Sequence, residues 1–267
     1  MSAPVLETRN LSWDYDPGHP VLQQICLTVR AGEKIAIIGP NGAGKTTLIK
    51  CLNGLLRPDR GEVRVMDQPV STYTTRQLAR TVAYVPQPMN AGLPFRVRDF
   101  IMMGRYPHWS TLSSVTPADH AAVAQALEMT GTTPLANRIH GTLSGGERQK
   151  VMLAAALAQE SPILMLDEPS AFLDPGHQYE IDCILLAANQ REGVTIVTAT
   201  HDLNRAALTN DRIVGLRDGT IICNDTPDAV LQPAVLEQLY ETSFTMVAHP
   251  ETATTMVLPR RPREQAP

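Results

Sequence analysis

One stretch decides the fold of this chain: Gly39-Pro40-Asn41-Gly42-Ala43-Gly44-Lys45-Thr46. It fits the pattern G-x-x-x-x-G-K-[ST], in which glycines let successive backbone N–H groups turn inward around phosphates. The apolar run before it, residues 34–38, is typical of a buried strand, and the run from Thr47 is typical of a helix start. This strand–loop–helix context favours a nucleotide site over a glycine-rich turn that binds nothing.

Two side chains of this phosphate loop (residues 39–46) bring specific chemistry to a nucleotide. Lys45 supplies a point charge for the phosphates, and the Thr46 hydroxyl can bind Mg²⁺. The helix N-terminus adds the positive end of a dipole. The predicted nucleotide-binding residues here are Gly39, Pro40, Asn41, Gly42, Ala43, Gly44, Lys45, Thr46 and Thr47.

A second apolar run, residues 163–166, ends in two carboxylates, Asp167 and Glu168. An aspartate at the end of a buried strand beside the phosphate loop is placed to hold Mg²⁺ through water, and the adjacent glutamate can accept a proton from the attacking water. Two surface acids at a strand end are the alternative. With the phosphate loop present, we predict Asp167 as a metal ligand and Glu168 as the catalytic base.

A second candidate phosphate site is the signature segment, Leu143-Ser144-Gly145-Gly146-Glu147. Ser144 followed three residues later by Glu147 is a capping box, which predicts the start of an apolar helix reaching residues 151–158. Gly145 and Gly146 leave bare N–H groups in the first helical turn, and such groups suit a phosphate. A plain helix cap is the modest interpretation, and it is compatible with the functional one.

Together these motifs resemble those of the ATP-binding-cassette (ABC) ATPases. Six motifs occur in that family's order: the phosphate loop, Gln87 between two prolines, the signature segment, Asp167-Glu168, the 170–174 loop and His201-Asp202. The resemblance covers the chain from about residue 5 to 240. The resemblance implies ATP and Mg²⁺ as cofactors and Thr46, Gln87 and Asp167 as metal ligands. It also implies that His201 contacts the γ-phosphate.

The resemblance further implies a homodimer with two ATP molecules sandwiched head to tail. The γ-phosphate of ATP held by the other copy would face four residues of the signature segment: Ser144, Gly145, Gly146 and Glu147. Asp174 would close the loop that contacts the opposite subunit. Such an isologous arrangement is the commonest symmetry of homodimers.

An aromatic residue is expected to stack on the adenine. Tyr15 is the predicted residue, because it stands just before the turn at residues 16–18. Trp13 is the rival, and one of the two would then pack on the sheet.

The rest of the chain predicts an α/β fold: a phosphate-loop (RecA-like) core with a mostly parallel sheet, a small antiparallel β subdomain and an inserted helical subdomain. We expect antiparallel strands at 5–13 and 21–29, and parallel strands at 34–38, 82–85, 163–166 and 195–198. Asp218-Gly219 predicts a hairpin between 212–217 and 220–223. Helices are expected at 97–103 and 117–130, within a helical insert at about 88–160. The predicted domain is 1–240, followed by a C-terminal tail at 241–267.

Composition and charge limit the possible functions. The chain has 267 residues, 43% of them hydrophobic, but no apolar stretch approaches the roughly 20 residues of a membrane span, and we expect no signal peptide. It is therefore expected to be cytoplasmic, peripheral on the inner face of the cell membrane. A net charge of −4 argues against nucleic acid as a partner.

The predicted partners are integral-membrane permease subunits and, indirectly, a substrate-binding protein. Two stretches, Gly104-Arg105-Tyr106-Pro107-His108 and Asp174-Pro175-Gly176-His177-Gln178, are similar to those of ATPases that drive import of iron-siderophore complexes, haem or cobalamin. Import of another small solute, such as an oxyanion or metal ion, remains an alternative, as do an exporter ATPase and a non-transport cassette.

A cluster of large side chains in the insert predicts a partner surface. Arg105, Tyr106, His108 and Trp109 follow a short helix beside glycine and proline, which suits contact with a permease better than a core. The alternative is that Tyr106 and Trp109 pack the helical subdomain onto itself.

Overall fold

The computed structural model describes residues 4–16, 18–87, 92–109, 114–251 and 254–259. Its strands are β1 (Pro4–Asp14), β2 (Pro20–Arg30), β3 (Lys34–Ile38), β4 (Arg60–Val65), β5 (Gln68–Pro69), β6 (Val82–Val85), β7 (Ile163–Asp167), β8 (Thr195–Ala199), β9 (Arg212–Arg217), β10 (Thr220–Asp225), β11 (Phe244–Ala248) and β12 (Thr255–Pro259). Its α-helices are α1 (Lys45–Leu52), α2 (Thr75–Ala79), α3 (Val97–Met103), α4 (Pro117–Met129), α5 (Gly145–Ala158), α6 (Pro175–Glu192), α7 (Leu203–Thr209), α8 (Pro227–Val230) and α9 (Pro233–Tyr240).

The central sheet carries the site. Its strand order is β10-β9-β3-β8-β7-β6, and every pairing is parallel except that of β10 with β9. Every residue of β7 and β8 is buried, because helices cover both faces of a parallel sheet. Such strands appear in the sequence as continuous apolar runs. The predicted α/β fold, its parallel strands and the Asp218-Gly219 hairpin are confirmed.

The antiparallel sheet packs beside α1. Its order is β2-β1-β4-β5, and along β2 the buried residues Ile25, Leu27 and Val29 alternate with exposed ones. This alternation is typical of a sheet with one face on the core and one in solvent. The pairing of β1 with β2 was predicted, whereas β4 and β5 were not.

Three helices form the helical subdomain. One buried apolar cluster joins them and contains Val97 and Ile101 of α3, Val123 of α4 and Val151 of α5. The predicted helices are confirmed, and α5 begins directly after Ser144. Residues 88–91, at the start of the expected insert, lie outside the described ranges.

Arg105 does not lie on a partner surface, so that part of the prediction is wrong. Its side chain is only 5% exposed, and its Nε donates to Oδ1 of Asp119 at 3.0 Å, while Nη1 donates to the Ala158 carbonyl at 2.6 Å. Burial opposes ionisation of Asp119, but hydrogen bonds from Thr116 and Arg105 outweigh it and hold the pKa of Asp119 below its usual range. These partners stabilise the guanidinium inside the subdomain.

The other residues of the predicted partner cluster have mixed environments. Tyr106 is 60% exposed, and its ring contacts the edge of Trp109 with centroids 6.2 Å apart. The Arg76 guanidinium lies over the Tyr106 ring, and a ring nitrogen of His108 hydrogen-bonds the Gln159 carbonyl. Tyr106 is therefore the member of the cluster with the largest accessible surface.

The chain continues into ordered structure after residue 240. Strands β11 and β12 form an antiparallel hairpin, and the Asn204 side chain bonds both the N–H and the carbonyl of Val257. Val257 packs with Leu236 and Leu239 against the central sheet. The sequence predicted only a tail here, and residues 260–267 of that tail lie outside the described part of the chain. Within the described ranges, we find no helix with the length and apolarity of a membrane span.

Candidate active site

The phosphate loop joins β3 to α1 and depends on its glycines. Gly44, at the N-terminus of α1, has φ 100° and ψ 8°, a left-handed conformation that favours glycine. A Cβ at Gly39 would overlap the Leu216 carbonyl of the neighbouring strand β9. The loop therefore places its backbone against the sheet, with the first turn of α1 directly behind it.

Lys45 lies across this loop. Its ammonium donates to the carbonyls of Gly39 at 2.7 Å and Pro40 at 3.1 Å, and the residue is only 8% exposed. Burial lowers the pKa of Lys45, while the carboxylates of Glu168 and Asp167 act to raise it. A desolvated cation at this position interacts strongly with a phosphate, because little water screens it.

Thr46 and Asp167, both predicted metal ligands, are in direct contact. The Thr46 hydroxyl donates to Oδ1 of Asp167 at 3.0 Å, joining the start of α1 to the end of β7. Burial raises the pKa of Asp167, and the hydrogen bond from Thr46 opposes the shift. A hydroxyl and a carboxylate oxygen at the mouth of the phosphate loop are the oxygen donors that Mg²⁺ prefers. Gln87 is exposed just after β6, and its role as a third ligand stays a prediction.

Glu168 and His201 are also brought together. Nδ1 of His201 donates to Oε2 of Glu168 at 2.7 Å. Glu168 has φ 51° and its N–H donates to the Ala199 carbonyl, so the chain turns sharply where β7 ends. The sequence predicted each residue separately but not their contact.

The signature segment has the capping geometry expected from its sequence. The Glu147 N–H donates to the Ser144 hydroxyl at 3.3 Å, and the Ser144 N–H donates to Oε2 of Glu147 at 2.8 Å. The hydrogen bond from the Ser144 backbone lowers the pKa of Glu147, so this carboxylate stays charged as a cap. A Cβ built on Gly145 would meet no atom within 4 Å, so this side of the helix start is open.

Asp174 caps α6 at the end of the 170–174 loop. Its Oδ1 accepts the N–H groups of Gly176 at 2.9 Å and His177 at 3.1 Å, and Nδ1 of His177 donates to its Oδ2 at 2.5 Å. The same loop carries Phe172, which is 92% exposed with φ 63°. Neither the contact of His177 with Asp174 nor the exposure of Phe172 was predicted, although a histidine three positions after a capping aspartate indicates such a contact.

The two candidate adenine-stacking residues differ in exposure. Tyr15 is 78% exposed, whereas Trp13 is partly buried and packs against the core cluster that contains β1 and β2. Their ring centroids lie 6.1 Å apart at an interplanar angle of 76°. Tyr15 remains the predicted stacking residue, since its ring is open to solvent. Pro17, in the turn after it, lies outside the described residues.

The catalytic candidates share one edge of the central sheet. The phosphate loop follows β3, Gln87 follows β6, Asp167 and Glu168 end β7, and His201 follows β8. Carboxyl ends of parallel strands meet at the same edge, which is where open α/β sheets bind ligands. The signature segment and the 170–174 loop instead lie at the starts of two neighbouring helices, α5 and α6.

Comparison with known proteins identifies the family. Residues 22–171 match the model of the ABC transporter family. The hemin import ATP-binding protein HmuV of Thermobifida fusca is 41% identical over 96% of this chain and 89% of the relative. The cobalamin import ATP-binding protein BtuD of Halobacterium salinarum is 36% identical over 93% and 62%. The ferric enterobactin transport ATP-binding protein FepC of Escherichia coli K12 is 32% identical over 90% and 89%.

Solved structures share the same architecture. A chain from an inward-facing ABC transporter of proposed metal-chelate type has a TM-score of 0.84 and 27% identity, covering 97% of this chain and 98% of that one. A dimeric, post-hydrolysis ATP-binding cassette bound to ADP and Pi has a TM-score of 0.73 and 25% identity, covering 83% and 98%. In sequence, fold and placement of its phosphate loop, this chain belongs to the ABC transporter family, as an ATP-hydrolysing cassette.

Proposed function

We propose that this chain is the ATPase subunit of an ABC importer that takes up a metal chelate, of the iron-siderophore, haem or cobalamin class. One observation supports ATP hydrolysis. One edge of the central sheet holds Lys45, the Thr46–Asp167 pair and the Glu168–His201 pair. These groups supply what phosphoryl transfer to water requires: a cation for the phosphates, oxygen ligands and a base.

The proposed reaction is hydrolysis of ATP to ADP and phosphate. Glu168 accepts a proton from the attacking water as the water oxygen bonds to the γ-phosphorus and the bond to the bridging oxygen breaks. His201 holds the Glu168 carboxylate through Nδ1 and is the candidate contact for the γ-phosphate. Thr46, Asp167 and Gln87 would hold Mg²⁺, which would neutralise charge on the phosphate oxygens.

We further propose a homodimer in which each signature segment faces the ATP of the partner. The open side of Gly145 and the capped start of α5 support this role, since they present backbone N–H groups to an anion. The dimeric state of a solved cassette with ADP and Pi is consistent with it. Such a dimer would attach to integral-membrane permease subunits at the inner face of the cell membrane and act, indirectly, with a substrate-binding protein.

Support for the solute class comes from the relatives. Three of them are named for import or transport of hemin, cobalamin and ferric enterobactin, which share a bulky organic ligand around a metal ion. The motif stretches around residues 104–108 and 174–178 pointed to the same class. We therefore propose a metal chelate rather than an oxyanion or a free metal ion as the transported solute.

The test is to identify the membrane protein that co-purifies with this chain. Both proteins are then reconstituted in vesicles together with the substrate-binding protein of the same transporter. ATP-driven uptake of haem, a ferric siderophore or cobalamin is expected, with molybdate and free Zn²⁺ as control solutes. Uptake of a control solute but of no chelate would contradict the proposed solute class. ATP-driven efflux from inverted vesicles would contradict the direction.

A further inference from the structure

The imidazole of His177 lies directly against Gly146 of the signature segment. A Cβ built on Gly146 would overlap carbon atoms of the His177 ring and lie 2.5 Å from its Nε2. The neighbouring Gly145 differs, because a Cβ there would meet nothing within 4 Å. Gly146 therefore makes room for a side chain of another helix, whereas Gly145 is open.

The ring is held in this position by Asp174. Nδ1 of His177 donates to Oδ2 of Asp174 at 2.5 Å, while the backbone N–H of His177 donates to Oδ1 at 3.1 Å. The hydrogen bond from His177 lowers the pKa of Asp174, so the carboxylate remains ionised and can accept both donors. The ring therefore contacts Gly146 on its Cδ2 side and Asp174 at Nδ1.

Further contacts hold the 170–174 loop to α6 and link α6 to α5. The side-chain amide of Gln178 donates to the carbonyls of Leu173 at 3.1 Å and Ser170 at 3.4 Å, inside the 170–174 loop. Farther along the helices, Lys150 of α5 and Glu180 of α6 form an ion pair at 2.7 Å. Polar contacts therefore fix the 170–174 loop to the start of α6, and the His177 ring and the Lys150–Glu180 ion pair connect α6 to α5.

We propose that His177 is a positioning residue that holds the signature segment and the 170–174 loop in one fixed arrangement for the partner's nucleotide. The inference rests on the proposed homodimer, in which both segments meet the opposite subunit. Two segments that are already ordered relative to each other lose less conformational freedom when the dimer closes. His177 should therefore govern ATP-driven dimerisation and leave ATP binding to the isolated chain unaffected.

A double-mutant cycle tests this inference in a Glu168→Gln background, where hydrolysis does not disturb the equilibrium. The variants are His177→Ala, Gly146→Ala and the pair, and sedimentation with Mg-ATP measures the dimer dissociation constant. We expect each single change to weaken dimerisation by roughly tenfold, and the two changes to be non-additive because the residues are in contact. The pair should dimerise as well as His177→Ala alone, because the ring that the added methyl group would overlap is gone.

Matched controls separate this role from others. Gly145→Ala should weaken dimerisation equally with or without His177→Ala, since its Cβ would not approach the ring. His177→Asn, whose amide can reach Asp174 from near the Nδ1 position, should restore most of the dimer affinity. ATP binding by the monomer and its melting temperature should be unchanged in His177→Ala.

Three results would be decisive against parts of this proposal. Effects of Gly146→Ala and His177→Ala that multiply in the pair would overturn the inference, because the glycine would then be needed for another reason. A lower melting temperature or weaker monomer ATP binding in His177→Ala would also overturn it. Failure of the Glu168→Gln chain itself to dimerise with Mg-ATP would instead contradict the proposed dimer.

Discussion

Nδ1 of His201 lies 2.7 Å from Oε2 of Glu168, across the ends of two adjacent parallel strands. The Glu168 side chain is 13% exposed and that of His201 is 65% exposed, so the pair joins a sheltered carboxylate to an imidazole open to solvent. The imidazole orients the carboxylate through one oxygen. The position of the Glu168 carboxylate, the proposed catalytic base, therefore depends on the loop that follows β8.

Replacing Glu168 with Gln should lower ATP turnover by about 10²–10⁴, equivalent to roughly 3–5 kcal/mol of barrier, because the amide cannot accept the proton from water. ATP affinity, measured by calorimetry, should be unchanged, and sedimentation with Mg-ATP should show a trapped dimer. Glu192→Gln, on the exposed end of α6, is the matched control. Near-normal turnover in Glu168→Gln would remove Glu168 from the mechanism.

Asp167→Asn should stabilise the fold at neutral pH, because it removes a charge that burial disfavours, while it lowers ATP turnover. Burial raises the pKa of Asp167 above its unfolded-state value, so destabilisation of the fold by the ionised carboxylate develops as the pH rises from the unfolded-state pKa and is complete above the folded-state pKa. This destabilisation disappears as the pH falls below the unfolded-state pKa of about 4, because the carboxyl group is then protonated in both states. The stability difference between the variant and the parent should therefore shrink between pH 7 and pH 4.

Urea unfolding at several pH values measures this difference. Asp16→Asn, at an exposed position, is the control and should show no comparable stabilisation at pH 7. A difference that instead grows as the pH falls would show that burial does not dominate the ionisation of Asp167.

A mixed dimer of one Lys45→Ala chain and one Ser144→Arg chain should bind ATP at one site. If the signature segment acts on the partner's nucleotide, each ATP site combines the phosphate loop of one chain with the signature segment of the other. Both substitutions then fall on one of these sites, and the other site is intact. Equilibrium binding should then give about one ATP per mixed dimer. A Ser144→Arg monomer that no longer binds nucleotide would show that Ser144 acts on its own chain's site.

Arg105→Ala should destabilise the protein by about 3–5 kcal/mol, because removal of one partner leaves the buried carboxylate of Asp119 without its ion pair. Denaturant unfolding measures the loss. The double variant Arg105→Met with Asp119→Asn removes both charges but keeps an oxygen that can accept from Thr116, so it should recover part of the stability. A variant Arg105→Ala with unchanged stability and impaired permease binding would restore the original surface interpretation.

Tyr106→Ala should behave differently from Arg105→Ala. Its side chain is largely exposed, so the change in unfolding free energy should stay within about 1 kcal/mol. If Tyr106 contributes to the permease interface, the variant should co-purify less membrane protein while its ATPase rate in isolation is retained. Normal assembly in this variant would assign Tyr106 to its contacts with Trp109 and Arg76 instead.

Local sequence patterns determined much of the fold and the chemistry of the site. The strands at 34–38 and 82–85 have the predicted bounds, because strands buried on both faces are continuous apolar runs. Ser144 and Glu147 form the predicted capping box because a cap depends on residues within one helical turn. The β4 strand was missed although Glu62-Val63-Arg64-Val65 alternates charged and apolar residues, as a half-buried strand does.

Long-range contacts were decided by the tertiary structure alone. Arg105 appeared to be a surface residue because its partners, Asp119 and the Ala158 carbonyl, belong to other helices. The Gly146–His177 contact joins two helix starts that are far apart in the chain. Glu168 meets His201 because the parallel hydrogen-bond ladder sets Asp167 opposite Ala199, so both strands end at the same level. The sequence determined which groups carry the chemistry, and the register of the sheet and the packing of the helices decided which of them touch.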